Sequence, residues 1–332
     1  MPHALTEYLL FLAKSLTVVV ALVLLLVAAG VASRRGRPSS RLQVRDAGSR
    51  YDRLAWTLRS AALPKSVYKA EVKADKKRRK AKADADKALT EPRRRLFVLD
   101  FKGDVMASRV SSLREEVTAI LAVATPRDEV VVRLENPGGF VHEQGLAASQ
   151  LLRVRSRGIP LTAAVDTMAA SGGYLMACVA SKIVAAPFAV VGSIGVVAQV
   201  PNFYRLLDRA GVDVEQFTGG EFKRTVTMFG RNTDADRAKL SEEIQDTHAL
   251  FKEFVAEHRP GLDVDAVGTG EHWYGARAVA LGLVDEIVTS DDYLTAARRD
   301  ADVYEVGYTP KPTMRRALGR AAGLLQPRPL MP

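Results

Sequence analysis

Leu96-Phe-Val-Leu-Asp-Phe101 is the stretch that decides the fold, because its nearly continuous apolar run predicts a buried strand. Helical and strand patterns alternate along the chain after it. Such alternation predicts βαβ units, and therefore an α/β fold with a largely parallel sheet covered by helices. The predicted helices cover residues 112–124, 143–157, 175–180, 202–210 and 234–258, and the predicted strands cover residues 129–134, 160–166, 182–186, 195–199 and 213–218.

Composition divides the 332-residue chain into four parts. Residues 1–33 are predicted to be a transmembrane anchor and residues 34–95 a basic linker. The folded α/β domain is predicted over residues 96–295, and a basic C-terminal extension over residues 296–332. Since 47% of the residues are apolar, the chain can bury one sizeable core.

The anchor prediction rests on residues 8–32, which are almost wholly apolar and are interrupted by Lys14. A stretch of about 25 residues is long enough to cross a bilayer as one helix. A cleaved signal peptide is the competing interpretation, but the stretch is long for one and no positive charge precedes it. Arginines follow it from Arg34 to Arg50, and by the positive-inside rule they favour a cytoplasmic location for the rest of the chain.

The formal charge of +10 belongs to the linker, where residues 34–95 hold 21 Lys and Arg against 7 Asp and Glu. Within it, residues 65–89 have the composition of a solvated helix without an apolar face, and a spacer is the first interpretation. Attraction to anionic lipid headgroups is the second. Nucleic-acid binding is the third, because no aromatic stacking pattern accompanies the charge, and we predict no specific nucleic-acid partner.

Cys178 is the single cysteine of the chain. One cysteine excludes an intrachain disulfide and a cysteine-rich zinc site. It stands in an apolar run, where a buried structural thiol is expected rather than a nucleophile. We predict neither a metal nor a cofactor.

The segment Asp166-Thr-Met-Ala-Ala-Ser-Gly-Gly-Tyr174 places Ser171 among small residues directly before an apolar helix. Small neighbours let a substrate carbonyl approach, and a helix N-terminus directs N–H groups toward a developing oxyanion. The alternative interpretation is a helix N-cap with glycines for close packing. This segment alone favours the N-cap.

A serine nucleophile needs a base, which is most often a histidine held by a carboxylate. No histidine lies between Ser171 and Lys223, and His142 and His272 are more easily interpreted as structural or surface residues. A lysine is the other solution, provided that its surroundings favour the neutral amine.

Lys223 is the candidate base, because it follows two glycines and lies between an aromatic residue and a second cation in Phe222-Lys-Arg224. Ser193, in Val191-Gly-Ser-Ile-Gly195, is the candidate partner that orients the lysine amine. Asn136-Pro-Gly-Gly139 ends a predicted strand, and we assign the Gly139 N–H and the Ser171 N–H to an oxyanion hole. A simple strand-to-helix turn is the alternative there.

Together these segments resemble the signal peptide peptidase A, or protease IV, family of serine-lysine peptidases, and within it the SohB-like membrane proteases. The separations between Ser171, Ser193 and Lys223 fit that family's nucleophile, supporting serine and base. One departure is Asn136, where the family usually has serine. The resemblance covers most of residues 96–295 and is carried by residues 169–180, 189–199, 222–225 and 270–275.

The resemblance implies a ClpP/crotonase-like fold of repeated ββα units and peptide-bond hydrolysis at a bacterial plasma membrane. It implies membrane-associated peptide or protein substrates, such as signal-peptide remnants, and homo-oligomers with active sites near subunit interfaces. The family precedent puts the active site outside the cytoplasm, against the arginine argument. Two alternatives stay open: a crotonase-like acyl-CoA hydratase or isomerase, suggested by the ending Gly282-Leu-Val-Asp-Glu286, and an inactive membrane scaffold.

Overall fold

A computed structural model describes residues 6–21, 42–88, 93–220 and 222–310 of the chain. The chain divides into two compact units, Met1–Arg41 and Leu42–Pro332. Residues 6–21 of the first unit form helix α1. Among the described residues, no helix has both the length and the apolar character needed to cross a bilayer. The transmembrane helix predicted over residues 8–32 is therefore not seen, and its second part lies outside the described residues, as does most of the predicted tail.

The second unit contains the remaining elements in the following bounds. The strands are β1 (Leu42–Asp46), β2 (Arg94–Lys102), β3 (Glu129–Glu135), β4 (Leu161–Val165), β5 (Met168–Ala170), β6 (Lys182–Ala185), β7 (Val190–Gly192), β8 (His272–Tyr274), β9 (Glu286–Ile287) and β10 (Ala301–Tyr308). The helices are α2 (Ala47–Ala62), α3 (Lys65–Ala88), α4 (Val110–Leu121), α5 (Val141–Arg155), α6 (Gly172–Ala177), α7 (Tyr204–Arg209), α8 (Asp234–His258), α9 (Val264–Val267), α10 (Gly275–Ala278) and α11 (Ser290–Ala297).

The main sheet has seven strands in the order β1-β10-β2-β3-β4-β6-β9. Every neighbouring pair is parallel except β1 with β10. A second sheet of three strands, in the order β5-β7-β8, pairs β5 with β7 in parallel and β7 with β8 antiparallel. The prediction of an α/β fold with a largely parallel sheet is therefore confirmed.

The central strands are buried on both faces, as the apolar run of β2 predicts. Helix α6 is wholly buried against the sheet, and its Tyr174 hydroxyl donates to the Leu283 carbonyl at 3.1 Å. Burial raises the pKa of the Cys178 thiol to about 12, so this cysteine is the inert structural thiol expected from its apolar run. The burial of α6 holds in place the segment that precedes it, which contains Ser171.

The main sheet takes in residues beyond the predicted domain of 96–295. Residues 42–46, assigned to the linker, form edge strand β1, and residues 301–308, assigned to the extension, form β10 between β1 and β2. The sequence signal is weak in both places because polar and charged residues interrupt these strands. Pairing between segments that are distant in the chain decides their structure, because β10 pairs with β2 and β1 pairs with β10.

The strands predicted over residues 195–199 and 213–218 are wrong, since neither segment forms a strand. Their β-branched and aromatic residues have the right propensity, but among the described residues no strand pairs with them. Val197 and Phe217 are 90% and 89% exposed. A strand pattern without a neighbouring edge cannot satisfy its backbone groups in a sheet.

Candidate active site

Three strand ends meet where Ser171, Ser193 and the glycine turn of the predicted site lie. In the small sheet Ala170 is the register partner of Gly192, so Ser171 and Ser193 directly follow paired parallel strands. The end of β3 joins the same edge, because Asn136 donates its N–H to the Met168 carbonyl at 2.8 Å and bridges to β5. The carboxyl ends of parallel strands meet at one edge of a sheet, and sites in such folds form there.

Ser171 has a strained backbone, with φ of 54° and ψ of −119°. A non-glycine residue at positive φ costs about 1–3 kcal/mol and persists only where the surrounding structure imposes it. Here β5 ends and α6 begins within one residue, and the Ser171 N–H donates to the Gly192 carbonyl at 2.8 Å. Its hydroxyl has no hydrogen-bond partner among the described residues, and the side chain is half-buried.

The bond to Gly192 corrects one assignment of the sequence analysis. An N–H that donates to a carbonyl within the sheet is not available to an oxyanion, so Ser171 does not offer this donor in the structure. The next N–H, of Gly172, has no acceptor in the described ranges. Gly172 is packed so tightly that a Cβ there would lie 2.4 Å from Gln144 Cγ, which keeps its backbone in place.

The Pro-Gly-Gly turn lies against this segment. A Cβ on Gly138 would lie 2.8 Å from the Gly172 nitrogen, and Gly138 has φ of 93°, so both space and conformation require glycine. The Gly138 N–H donates to Asn136 Oδ1 at 2.9 Å. The Gly139 N–H has no acceptor in the part of the chain that the structure describes. A Cβ on Gly139 would lie 2.2 Å from the Val105 carbonyl oxygen.

The Asn136 side chain holds the Pro-Gly-Gly turn through hydrogen bonds. Its side chain is fully buried, and besides accepting from Gly138 it donates to Gln144 Oε1 at 2.9 Å and to Met176 Sδ at 3.3 Å. Gln144 is also buried, and its amide donates to the Asp104 carbonyl at 3.0 Å. Both amides are thereby satisfied, which buried polar groups require. Asn136 therefore holds the glycine turn in place.

Ser193 resembles Ser171 in its backbone and neighbours it in space. Its φ is 52°, and its N–H donates to the Glu271 carbonyl at 2.6 Å. The two serines lie side by side at the ends of β5 and β7, both at positive φ. The structure thus brings together Ser171, Ser193 and the Gly139 turn.

Lys223 is not brought to this group in the single chain. It lies in an irregular loop with its side chain exposed, and its N–H donates to the Gly220 carbonyl at 3.2 Å. Lys223 is absent from the described residues that line the cleft at Ser171. The neighbouring Phe222 ring is covered by the Lys239 ammonium, 5.0 Å from its centroid.

A cleft of about 250 Å³ opens at Ser171. Its walls are mostly apolar, and one of them is helix α8, which sequence reasoning had not connected with the site. The α8 pattern predicts an amphipathic helix but not which surface the helix covers. The apolar residues lining the cleft are Val141, Leu175, Val196, Leu250, Phe251 and Phe254.

The histidines of the described ranges do not join Ser171. The His142 side chain is 78% exposed beside Glu143, and His248 contacts the Ile194 carbonyl at 3.2 Å. In the described ranges no histidine hydrogen-bonds to Ser171 or Ser193. Nor does any cluster of three or more His, Cys, Asp or Glu residues suited to a metal occur among the described residues.

Two models of one peptidase family match successive parts of the chain. The model of the Peptidase family S49 N-terminal region matches residues 3–151, and that of Peptidase family S49 matches residues 153–304. The chain is 47% identical over 329 residues to the "Probable protease SohB" of Haemophilus influenzae, covering 96% of this chain and 93% of that protein. The chain therefore belongs to peptidase family S49.

Two further similarities are more partial. A "Probable protease SohB" of Buchnera aphidicola subsp. Acyrthosiphon pisum is 54% identical over 216 residues, 65% of this chain and 64% of that protein. A solved structure, of a mutant of the 1510-N membrane-bound stomatin-specific protease in complex with a substrate peptide, matches with a TM-score of 0.43 and 12% identity. That match covers 70% of this chain and 99% of the other.

Proposed function

We propose that this S49 peptidase is a membrane-anchored serine endopeptidase in which Ser171 is the nucleophile and Lys223 the general base. Ser193 orients the lysine amine. The observation that carries the proposal is Ser171 itself, a strained serine at the mouth of an apolar cleft. Within the described part of the chain, the Ser171 hydroxyl and the N–H groups of Gly139 and Gly172 have no hydrogen-bond partner. We further propose that the sheet and its helices form the ClpP/crotonase-like arrangement.

In the proposed mechanism the Ser171 hydroxyl attacks the carbonyl carbon of the scissile peptide bond, and Lys223 accepts the hydroxyl proton. The Gly139 and Gly172 N–H groups hold the oxyanion, the second replacing the Ser171 N–H assigned from sequence. Collapse of the tetrahedral intermediate breaks the C–N bond, and Lys223 gives its proton to the leaving amine. A water molecule then attacks the acyl-serine, with Lys223 again acting as base. Donors aimed at the oxyanion commonly contribute about 3–4 kcal/mol each to such steps.

The apolar side chains exposed in the loop of Lys223 support an oligomer in which a second chain completes the site. Phe217 is 89% exposed and Phe222 is 56% exposed. Val197, which also lies between β7 and α8, is 90% exposed. Apolar groups this exposed favour burial against another protein surface. We propose that a second copy of the chain packs there, and that the homo-oligomer places Lys223 of one subunit or the other beside Ser171.

The proposed location is a bacterial inner membrane, reached through the apolar residues 8–32. The proposed organisation is an anchor (1–33), a basic linker (34–95), the peptidase domain (96–295) and a C-terminal extension (296–332), with β1 and β10 completing the sheet of the domain. The substrates are membrane-associated peptides or proteins, such as signal-peptide remnants. The arginines after the anchor favour a cytoplasmic site, whereas the family resemblance favours the opposite side.

The test is labelling with a fluorophosphonate probe together with a peptide-cleavage assay on the detergent-solubilised chain. We expect one labelled serine, loss of both label and cleavage in Ser171→Ala, and unchanged helix content by circular dichroism. Ser156→Ala, at the exposed end of α5, is the control and should leave both signals in place. A chelator should also leave both signals in place, since the proposed mechanism uses no metal. An unlabelled wild-type chain without cleavage would instead indicate the inactive scaffold.

A further inference from the structure

Helix α3 carries a row of lysines along one side. Five lysines recur at spacings of three or four residues, which places them on one face of a helix. All five are exposed, and together they span about 22 Å of the helix axis. This lysine row consists of Lys65, Lys69, Lys73, Lys76 and Lys80.

The opposite face of α3 is held against α2. The Tyr68 ring packs edge-on against Trp56 with ring centroids 6.0 Å apart, and Glu71 pairs with Arg59 at 3.6 Å. Tyr68, Glu71 and Asp75 are half-buried, whereas the lysine row is exposed. The packed face therefore fixes which side of α3 points to solvent.

The acidic residues on the side of α3 that faces α2 form ion pairs with arginines. Asp75 binds Arg78 at 2.8 Å and Arg79 at 2.6 Å, and Arg79 also reaches Asp52 of α2 at 3.2 Å. Asp52 in turn binds Arg298 at 2.5 Å. No ion pair joins the lysine row to an acidic side chain in the described ranges of the chain. The row is an uncompensated positive surface on a helix tied to the folded unit.

We propose that the lysine row docks on the anionic headgroups of a lipid bilayer. Lysine ammoniums are compact charges that suit a diffuse anionic surface, and each contributes appreciably to such attraction. The inference rests on the membrane part of the proposed function, but not on the roles of Ser171 and Lys223. Docking would hold the folded unit close to the bilayer, where membrane-associated substrates are found.

A nucleic acid fits this surface less well. Base recognition in single strands uses free aromatic faces, but Trp56 and Tyr68 pack on each other. The arginine forks of Arg78 and Arg79, which could bind phosphates in two-pronged geometry, are occupied by Asp75. What remains on this surface is the lysine row, whose ammonium groups are point charges without two-pronged geometry.

The test measures how close α3 lies to lipid in the full chain. Cys178 is buried, so a thiol-reactive fluorophore attaches at Ser66→Cys, an exposed position beside the row. The chain is reconstituted in vesicles of phosphatidylcholine alone or with phosphatidylglycerol, each containing a headgroup quencher. We expect strong quenching in the anionic vesicles only, abolished by high salt because the Debye length falls to about 3 Å at 1 M.

The charge variants decide between the lysine row and overall charge. In Lys69→Gln/Lys73→Gln/Lys76→Gln the docking equilibrium should weaken by about a hundredfold, at roughly fivefold per lysine. A control with the same charge loss uses three exposed arginines outside the helix pair and should keep the quenching. Its changes are Arg114→Gln, Arg157→Gln and Arg277→Gln.

Each other result contradicts the inference. Equal quenching in neutral and anionic vesicles, or equal loss in the two triple variants, would overturn lipid docking by the row while leaving the membrane anchor in place. A chain that does not associate with either kind of vesicle would overturn the anchor as well. Release of the row from anionic vesicles by equimolar RNA at the same salt would assign the surface to nucleic acid.

Discussion

Ser171 shows what one residue contributes to this site, because its positive φ turns the chain from β5 into α6 within one position. That turn directs its N–H into the sheet, to Gly192, and leaves the hydroxyl without a partner among the described residues. Ser193 also has a positive φ, at the end of β7. The two hydroxyls have different proposed roles although both residues have a positive φ, and single substitutions can separate these roles.

Lys223→Met keeps the apolar stem of the side chain and removes the proposed base. We expect kcat/KM to fall by roughly two to four orders of magnitude, the usual contribution of a positioned base. Lys239→Met is the matched control, since Lys239 is a nearby lysine that touches the adjacent Phe222. A harmless Lys223→Met combined with an inactive His142→Ala or His272→Ala would replace this assignment by a histidine mechanism.

Ser193→Ala should cost less, about ten- to a hundredfold in kcat, because Ser193 acts through the lysine. The hydroxyl is removed while the backbone bond to Glu271 remains, so the KM should change little. Steady-state kinetics on both serine variants give the comparison. A loss as complete as that of Ser171→Ala would make Ser193 a direct participant.

Asp128 provides a stability prediction with a defined pH dependence. Burial opposes its ionisation, but hydrogen bonds from Arg95 and Thr125 outweigh it and lower the pKa to about 2. A carboxylate with a lowered folded-state pKa stabilises above its unfolded value near 4 and loses this contribution as the pH falls toward 2. Asp128→Asn should therefore lower the free energy of unfolding at pH 7 by up to about 2 kcal/mol, and by less at pH 3.

Chemical denaturation at the two pH values measures this difference. Asp213→Asn, at an exposed loop position, is the control and should change the free energy of unfolding little at either pH. An Asp128→Asn deficit that is the same at pH 7 and pH 3 would contradict the assigned cause.

At the scale of elements, the turn after β3 and the start of α6 act as one unit. Asn136 binds the Gly138 N–H, and a Cβ on Gly173 would lie 2.1 Å from the Asn136 carbonyl oxygen, so the two segments pack without a gap. This contact sets where the N–H groups of Gly139 and Gly172 lie. Their separation depends on backbone packing and not on flexible side chains.

Gly139→Ala should disturb this unit, because the new Cβ would meet the Val105 carbonyl at 2.2 Å and the turn must move. We expect kcat to fall by about a hundredfold, as for loss of one oxyanion donor, with a smaller change in KM. Gly261→Ala adds a methyl group where no atom lies within 4 Å and is the matched control. Unchanged kcat in folded Gly139→Ala would remove Gly139 from the oxyanion hole.

At the scale of the whole molecule, the proposed base and the nucleophile belong to regions that differ in how tightly they are packed. Ser171 adjoins a fully buried helix, whereas the loop of Lys223 exposes Phe217 and Phe222. A second subunit that covers these aromatic residues would bury the lysine at the same time. The active unit is then the oligomer.

Mixing two inactive variants tests this idea. Ser171→Ala and Lys223→Met chains, combined before assembly, should recover activity if an intact serine and an intact lysine pair across an interface. Two batches of Ser171→Ala chains with different tags, mixed in the same way, show that exchange occurs without activity. Mixed oligomers that form but stay inactive would mean that each chain supplies its own base.

The sequence by itself determined the alternation of strands and helices, the bounds of α8 from Asp234 to His258, and the short motifs around Ser171 and Gly139. These features depend on neighbours along the chain, whose periodicity and turn chemistry can be read directly. Tertiary structure alone decided that residues 42–46 and 301–308 complete the sheet and that residues 195–199 do not join one. It also decided that the Ser171 N–H binds Gly192 and that α8 lines the cleft. The reason is physical: the partner of a backbone N–H or of an apolar face lies far away in the chain, and only folding brings it near.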